Sequence, residues 1–582
     1  MDTKEIIANL KNTIQNPYDF YQILYGIRDE SELISICEEF KKQIEIDYFE
    51  LASNAINDKQ DVFFVSHILE KIAFLSILDI QSIIKLYEIL YIQMDGDLAN
   101  FTQYEITKNI CIYHKDFSLN LLEEFYKNNQ DFSIYHISTI LLTLHNEHNM
   151  NQYTTIKNFL DITSDKNKTL ASIEAISKID LTNEQQNEIF KLLNKIVALN
   201  DESFNSSIVF SCNRMKDKYA SFKMILLGLS ATKNKNIKFH ISRILTFNKK
   251  EEISEEWYQN CLFSLTDTMS NELGIVNNLS HVFVNILEAG NEYIVIKKFF
   301  IEWVKNSDIS SNFPSKSLEY FIHDFSSKFH VFHNKFITDI FYMENTKLHM
   351  ILSRFITKES TLDAESLEQY SDEDLLFICR KVLGYLYDFD NLKNLIWSIS
   401  SKNNLSLSSQ GLLIDIFINH IGVDYPYNTI EFFKNIDIKN LNKAQKNMQQ
   451  QILQYVEQSL KTYQSLPRLK ELVPSSQESR EIHKANQLSM AEVMKKAEQN
   501  SIFSQLATKI YIKYGKGNFY NINGQYTKPT DMQKISTEMA FPLSENAHPI
   551  SSAIQRYHLE LPKKVINETN YKRILEFIER IQ

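Results

Sequence analysis

This chain predicts an all-α fold, an α-solenoid of stacked helix pairs with a small β-hairpin-containing α+β unit at its C-terminal end. Three observations carry that prediction. The stretch from Tyr18 to Phe313 has no proline, and its only glycines are Gly26, Gly96, Gly228, Gly274 and Gly290. Proline breaks helix interiors and glycine weakens them, so a long chain that avoids both favours helix. Apolar residues recur at helical spacing: Ile80, Ile83, Ile84, Tyr87 and Leu90 fall on one face. Beyond residue 465 the composition changes, prolines cluster, and Asn523-Gly524 sits between two extended-looking segments, a hairpin signal.

Taken in order, residues 1–464 form the helical repeat region. Asp79, Asp97, Asp116 and Thr182 stand where N-caps belong. Thr182 through Gln185 fits a capping box ahead of Ile189, Leu192, Leu193 and Ile196. Polar breaks at 128–130 and at Thr232–Asn236 separate helices of roughly 10–18 residues, more than twenty of them before residue 464. One core cannot easily hold so many helices, whereas a solenoid grows with length. The pattern resembles HEAT or armadillo-type repeats in helix size and connection length, without a residue signature at a fixed period. A set of separate helical subdomains is the alternative. The acidic stretch 357–375 reads as a solvated segment linking helices and a soft boundary.

Residues 465–508 read as a linker followed by a polar connector helix. Pro467 and Pro474 mark the linker, and Gln477–Ala507 carries a thin stripe of Ile482, Ala485, Met490, Val493 and Ala497. Residues 509–582 then make the small α+β unit, closed by a helix from about Val565 to Ile581.

Composition narrows the function. The 582 residues are 43% hydrophobic and 23% charged, enough for a large core. A net charge of -11 disfavours general attraction to nucleic acid or anionic membrane. Cys37, Cys111, Cys212, Cys261 and Cys379 are odd in number and far apart, so neither a disulfide framework nor a cysteine zinc site is expected. The N-terminal residues lack a signal-peptide apolar region, and no apolar run spans a bilayer. A soluble cytoplasmic protein is the expectation.

The most unusual charge block is Arg214–Lys250. It holds Arg214, Lys216, Lys218, Lys223, Lys233, Lys235, Lys238, Arg243, Lys249 and Lys250 against the single acid Asp217. Gathered on one edge, these would suit phosphate or nucleic acid, with Lys233, Lys235 and Lys238 presented from a free loop. A solvated face pairing with the acidic remainder, including Glu251, Glu252, Glu255 and Glu256, is the simpler reading. Phe321, Phe325, Phe329, Phe332 and Phe336 form a helical stripe. That stripe places His323 and His330 exposed on the opposite side, two turns apart, with His333 at its border. A polar surface explains them better than metal binding does, and His145 with His148 reads the same way.

In the tail, Lys513, Tyr514, Lys516, Phe519 and Tyr520 interleave basic and aromatic residues, a pattern able to stack bases. Cross-strand packing accounts for it more simply. Glu538, His548, Arg556, His558 and Glu560 match no catalytic order. No nucleotide-binding, hydrolase, zinc-protease or kinase motif is present, and no cofactor is implied. The leading expectation is a non-enzymatic scaffold or adaptor that binds other macromolecules, mainly proteins. Its alternatives are a nucleic-acid-associated component of a bacterial defence or processing system, and an enzyme with a cryptic C-terminal site.

Overall fold

The computed structural model describes residues 3–56, 59–93, 102–127, 131–163, 165–290, 293–386, 388–467 and 476–499, together with 521–522 and 525–526. These residues are overwhelmingly helical. They divide between two compact units, one ending at Ser406 and the other starting at Leu407. Residues 357–375 lie inside the first. No described helix is long and apolar enough to cross a membrane.

The first unit opens with α1 (Thr3–Thr13), α2 (Pro17–Tyr25), α3 (Glu30–Lys41), α4 (Tyr48–Ala55), α5 (Lys59–Ile72) and α6 (Ile80–Gln93). It continues through α7 (Thr102–Tyr113), α8 (Lys115–Lys127), α9 (Ser133–Asn146), α10 (Tyr153–Ile162), α11 (Lys166–Ile176) and α12 (Asn183–Val197). Next come α13 (Glu202–Met215), α14 (Phe222–Ser230), α15 (Lys235–Thr246), α16 (Glu256–Phe263), α17 (Leu273–Glu288) and α18 (Tyr293–Asn306). The unit closes with α19 (Glu319–Ser327), α20 (His330–Tyr342), α21 (Thr346–Leu352), α22 (Ala364–Gln369), α23 (Asp372–Tyr385) and α24 (Phe389–Ser398).

Each odd-numbered helix from α5 to α17 packs on the next odd-numbered one, ending at α19. The even-numbered helices α10, α12, α14 and α16 pack in the same skipping order. The two strings meet where α10 touches α11, α12 touches α13 and α13 touches α14. Hydrogen bonds follow the same interval. The last four carbonyls of a helix have no partner within it. Here a side chain about one helix pair further on supplies the donor. Asn109 Nδ2 donates to the Glu70 carbonyl at 2.5 Å, and His148 Nε2 to Cys111 at 2.6 Å. Ser211 Oγ donates to Ile173 at 2.8 Å, Asn285 Nδ2 to Thr246 at 2.8 Å, and Lys381 Nζ to Phe341 at 2.8 Å. Donor and acceptor are separated by 37 to 40 residues in these bonds.

Local signals explain the helix starts. Thr182 and Gln185 form the reciprocal capping box, and Asp79 accepts from the Ser82 amide at 2.8 Å. Asp116 does not cap: α8 begins at Lys115, which puts Asp116 in the first turn, where a carboxylate still suits the helix dipole. Asp97 and the break at 128–130 lie outside the described residues. The acidic stretch 357–375 is used for capping. Asp363 accepts from the Ser366 amide, and Ser371 with Asp374 makes a second box.

The phenylalanine stripe is interrupted. Phe321, Phe325 and Phe336 are buried, but Phe329 and Phe332 are half-buried. The amides of both Lys328 and Phe329 turn back to the Asp324 carbonyl, which ends α19, and α20 restarts at His330. His323 and His330 are exposed as expected, but on different helices, so they share no helical face. His333 is buried and bonds the Phe355 carbonyl through Nε2 at 3.0 Å.

The second unit holds α25 (Leu407–Asp415), a π-helical turn at Ile416–Ile421, α26 (Gly422–Asp424), α27 (Pro426–Asn435), α28 (Lys443–Ser465) and α29 (Ser476–Gln499). Met448, Ile452 and Val456 give α28 its buried stripe. Phe417 and Phe433 meet edge to face at 5.0 Å, and Gln449 Nε2 donates to the Phe433 carbonyl at 2.6 Å. The connector helix is described to Gln499, with Ala485, Met490 and Val493 exposed. Of residues 509–582, only an antiparallel pairing of Asn521–Ile522 with Gln525–Tyr526 is described. Lys513, Tyr514, Lys516, Phe519 and Tyr520 lie outside the described residues, as do Glu538, His548, Arg556, His558 and Glu560.

Candidate functional site

The basic segment spans the end of α13, all of α14 and α15, and the turn after them. Its charges are largely matched within the fold. Arg214 bonds Glu174 at 2.6 Å, and Lys235 bonds Glu272 at 2.7 Å. Lys249 bonds Asp217 at 2.6 Å, and Lys250 bonds Glu288 at 3.0 Å. Lys218 pairs with Asp180, and Lys223 with Glu255. Hydrogen bonds from Lys249 first and then Lys216 hold the Asp217 carboxyl down at about 2.

Two of the lysines are not surface residues. Lys216 is 4% exposed and pairs with Glu252, 7% exposed. It also lies 5.2 Å from the centre of the Trp257 ring, and Lys223 lies 5.8 Å from it. Lys238 is buried, pairs with Asp267 and donates to the Ser264 carbonyl at 3.1 Å. The expectation that Lys233, Lys235 and Lys238 extend from one free loop is therefore corrected. Asn234 caps α15, which places Lys235 and Lys238 on the helix. Arg243 lies 5.9 Å from the Phe210 ring centre. Among the described residues, exposed Lys233 takes part in no ion pair.

The cysteines are free and buried. Burial pushes the Cys37, Cys111 and Cys379 thiols up to about 12 and Cys261 to about 11, which keeps them protonated and poorly nucleophilic. His148 Nε2 is engaged with the Cys111 carbonyl. Among the described residues no group of three or more His, Cys, Asp or Glu side chains could hold one.

A groove of about 790 Å³ lies in the second unit between the π-helical turn, α27 and α28. The residues that build it explain its shape. Gly422 follows the π-helical turn, and a Cβ there would sit 2.6 Å from the Phe417 carbonyl oxygen and 2.9 Å from Val456 Cγ2. Only glycine lets the turn approach α28 this closely. Pro426 starts α27, where a missing N–H costs nothing. The wall presents Tyr427, Tyr455 and Tyr463, with the last two 54% and 74% exposed. Gln464 Nε2 donates to the Tyr427 hydroxyl at 3.0 Å. Among the described residues no charged side chain lines the groove. The sequence reading missed it, because its tyrosines lie on separate helices, Tyr427 on α27 and Tyr455 with Tyr463 on α28.

Comparison with known protein families and with curated proteins finds no match.

Proposed function

We propose that this protein is a non-enzymatic scaffold, its first unit an α-solenoid of stacked helix pairs and its partners proteins. The observation that carries the proposal is the set of side-chain bonds to helix-end carbonyls about one helix pair away, such as Asn285 to Thr246 and Lys381 to Phe341. Together with the skipping order of helix packing, these bonds are what a repeat array needs, since each repeat is completed by its neighbours. The matched charges of Arg214–Lys250 support protein partners over phosphate binding, because a lysine already holding a carboxylate gives little to a second anion. The tyrosine-walled groove supplies an aromatic contact surface of the kind proteins use for recognition.

The test is capture of the full chain with its partners from the native host, followed by reconstitution from purified components. A complex of fixed stoichiometry, measured by light scattering and stable to moderate salt, is expected. Recovery only of nucleic acid released by salt, or turnover of a co-purified metabolite, would overturn the proposal.

A further inference from the structure

We infer that the C-terminal end of α20 is a pH-sensitive latch, closed by one buried titratable side chain from α21 and another from α23, and that it loosens as the pH falls. The scaffold reading neither requires this latch nor falls with it.

The path of the chain builds the convergence. A helix leaves its last carbonyls without partners. At the end of α20 the chain turns through Met343 and Glu344, and Asn345 starts α21 by accepting from the Leu348 amide at 3.2 Å. His349 therefore comes back over the helix end, where Nε2 donates to the Ile340 carbonyl at 3.0 Å. Lys381 arrives from α23, where Nζ donates to the Phe341 carbonyl at 2.8 Å and to the Met343 carbonyl at 2.5 Å. The helices α20, α21 and α23 pack on one another, so the two side chains stand where all three meet. His349 is 2% exposed and Lys381 is fully buried. The Phe377 ring centre lies 3.9 Å from Nζ, and the Tyr385 ring lies 5.2 Å from the imidazole.

Both groups are cations when protonated, and burial disfavours a cation. Burial first, and then the Lys381 charge, lower the His349 imidazole from 6.5 to about 4. Burial lowers the Lys381 amine from 10.5 to about 8. An opened latch returns both groups to water and to their ordinary values. Between about 4 and 6.5 the open form takes up a proton at His349 that the closed form refuses. Between about 8 and 10.5 the same holds at Lys381. In both windows a falling pH favours opening.

The neighbouring charged groups do not reverse that direction. Glu344, in the turn after α20, favours the charged form of Lys381, but less than burial opposes it. Against α21 packs α18, whose Lys297 holds Asp339 of α20. Against α23 packs α24, where Asp390 is held by Lys393. On α23 itself, burial raises the Cys379 thiol from 9.0 to about 12. That thiol favours opening at pH values above about 9, which confines the Lys381 response to lower pH.

Hydrogen exchange of the full chain tests the latch, read for α21 and α23 and corrected for the intrinsic pH dependence of amide exchange. Their opening constant should be about twentyfold larger at pH 5 than at pH 7, through His349. It should fall about threefold between pH 7 and pH 8.5, through Lys381. His349→Gln keeps a donor for the Ile340 carbonyl but does not titrate, so the acid response should shrink about tenfold. Lys381→Met should remove the alkaline response. In each variant the reading is the change with pH and not the absolute protection, and circular dichroism checks the helical fold. The helices α2 and α4, which hold no histidine, serve as internal controls in the unaltered chain. An acid response of α21 and α23 no larger than theirs would overturn the inference. So would equal acid responses in wild type and His349→Gln, or an alkaline response that survives Lys381→Met.

Discussion

His136 and Tyr87 lie ring on ring, with centroids 4.1 Å apart and planes 13° from parallel. Phe125 is parallel to the same imidazole at 5.1 Å, and Nδ1 is 2.8 Å from the Thr107 hydroxyl. The imidazole is fully buried, and burial lowers its pKa from 6.5 to about 3. Between these values the unfolded chain binds a proton that the native chain refuses. Stability is therefore complete above about pH 6.5 and falls as the pH drops toward 3, by about 1.4 kcal/mol per pH unit at most for this group. His333 and His349 shift in the same direction. His136→Phe should flatten the slope without abolishing it, measured by urea unfolding across pH 6.5 to 4. An unchanged slope would show that His136 does not carry it.

The buried Lys216–Glu252 pair yields a second prediction. One Glu252 carboxylate oxygen is buried with no protein partner. Lys216→Met would strand the whole carboxylate and should cost about 3–5 kcal/mol. Lys216→Met combined with Glu252→Leu should recover most of that loss. Trp257, Trp303 and Trp397 all lie in the first unit, so tryptophan fluorescence during urea unfolding reports on it. A double variant no better than the single one would contradict this account.

Lys233 and Lys238 should behave in opposite ways despite their proximity in sequence. Lys238→Glu sets a carboxylate against Asp267 in a buried position and should destabilise by at least about 3 kcal/mol. Lys233→Glu alters an exposed residue and should stay within about 0.5 kcal/mol. The same fluorescence assay separates them. Lys233→Glu is also the clean probe of any nucleic-acid affinity, because it leaves the helix packing alone.

Gly422→Ala should loosen the second unit by about 1–3 kcal/mol, since the added methyl group overlaps the Phe417 carbonyl and the Val456 side chain. Hydrogen exchange of the α28 amides should accelerate. Unchanged protection would mean that the turn shifts at little cost.

The helical class was legible in the residues because local signals create it. The absence of proline, the spacing of Ile83, Ile84, Tyr87 and Leu90, and the Thr182 capping box all act within one or two turns. The break after Ser327 was not legible. Neither glycine nor proline marks it, and only the turn of the Lys328 and Phe329 amides toward Asp324 reveals it. The fate of the basic segment was hidden for another reason. Glu174 lies 40 residues before Arg214, and Asp180 lies 38 before Lys218. Without a residue signature at a fixed period, nothing in the sequence aligns such partners. The groove needed three dimensions as well, because Tyr427 and Tyr463 come to line one groove only when α27 packs on α28.

The bonds to helix-end carbonyls also set a timetable for synthesis. Their donors lie 37 to 40 residues after their acceptors. A ribosome adding about 5–20 residues per second delivers each donor roughly two to eight seconds after its acceptor. A newly emerged helix end therefore waits only seconds for its cap. The growing chain can close behind itself while its C-terminal half is still being made.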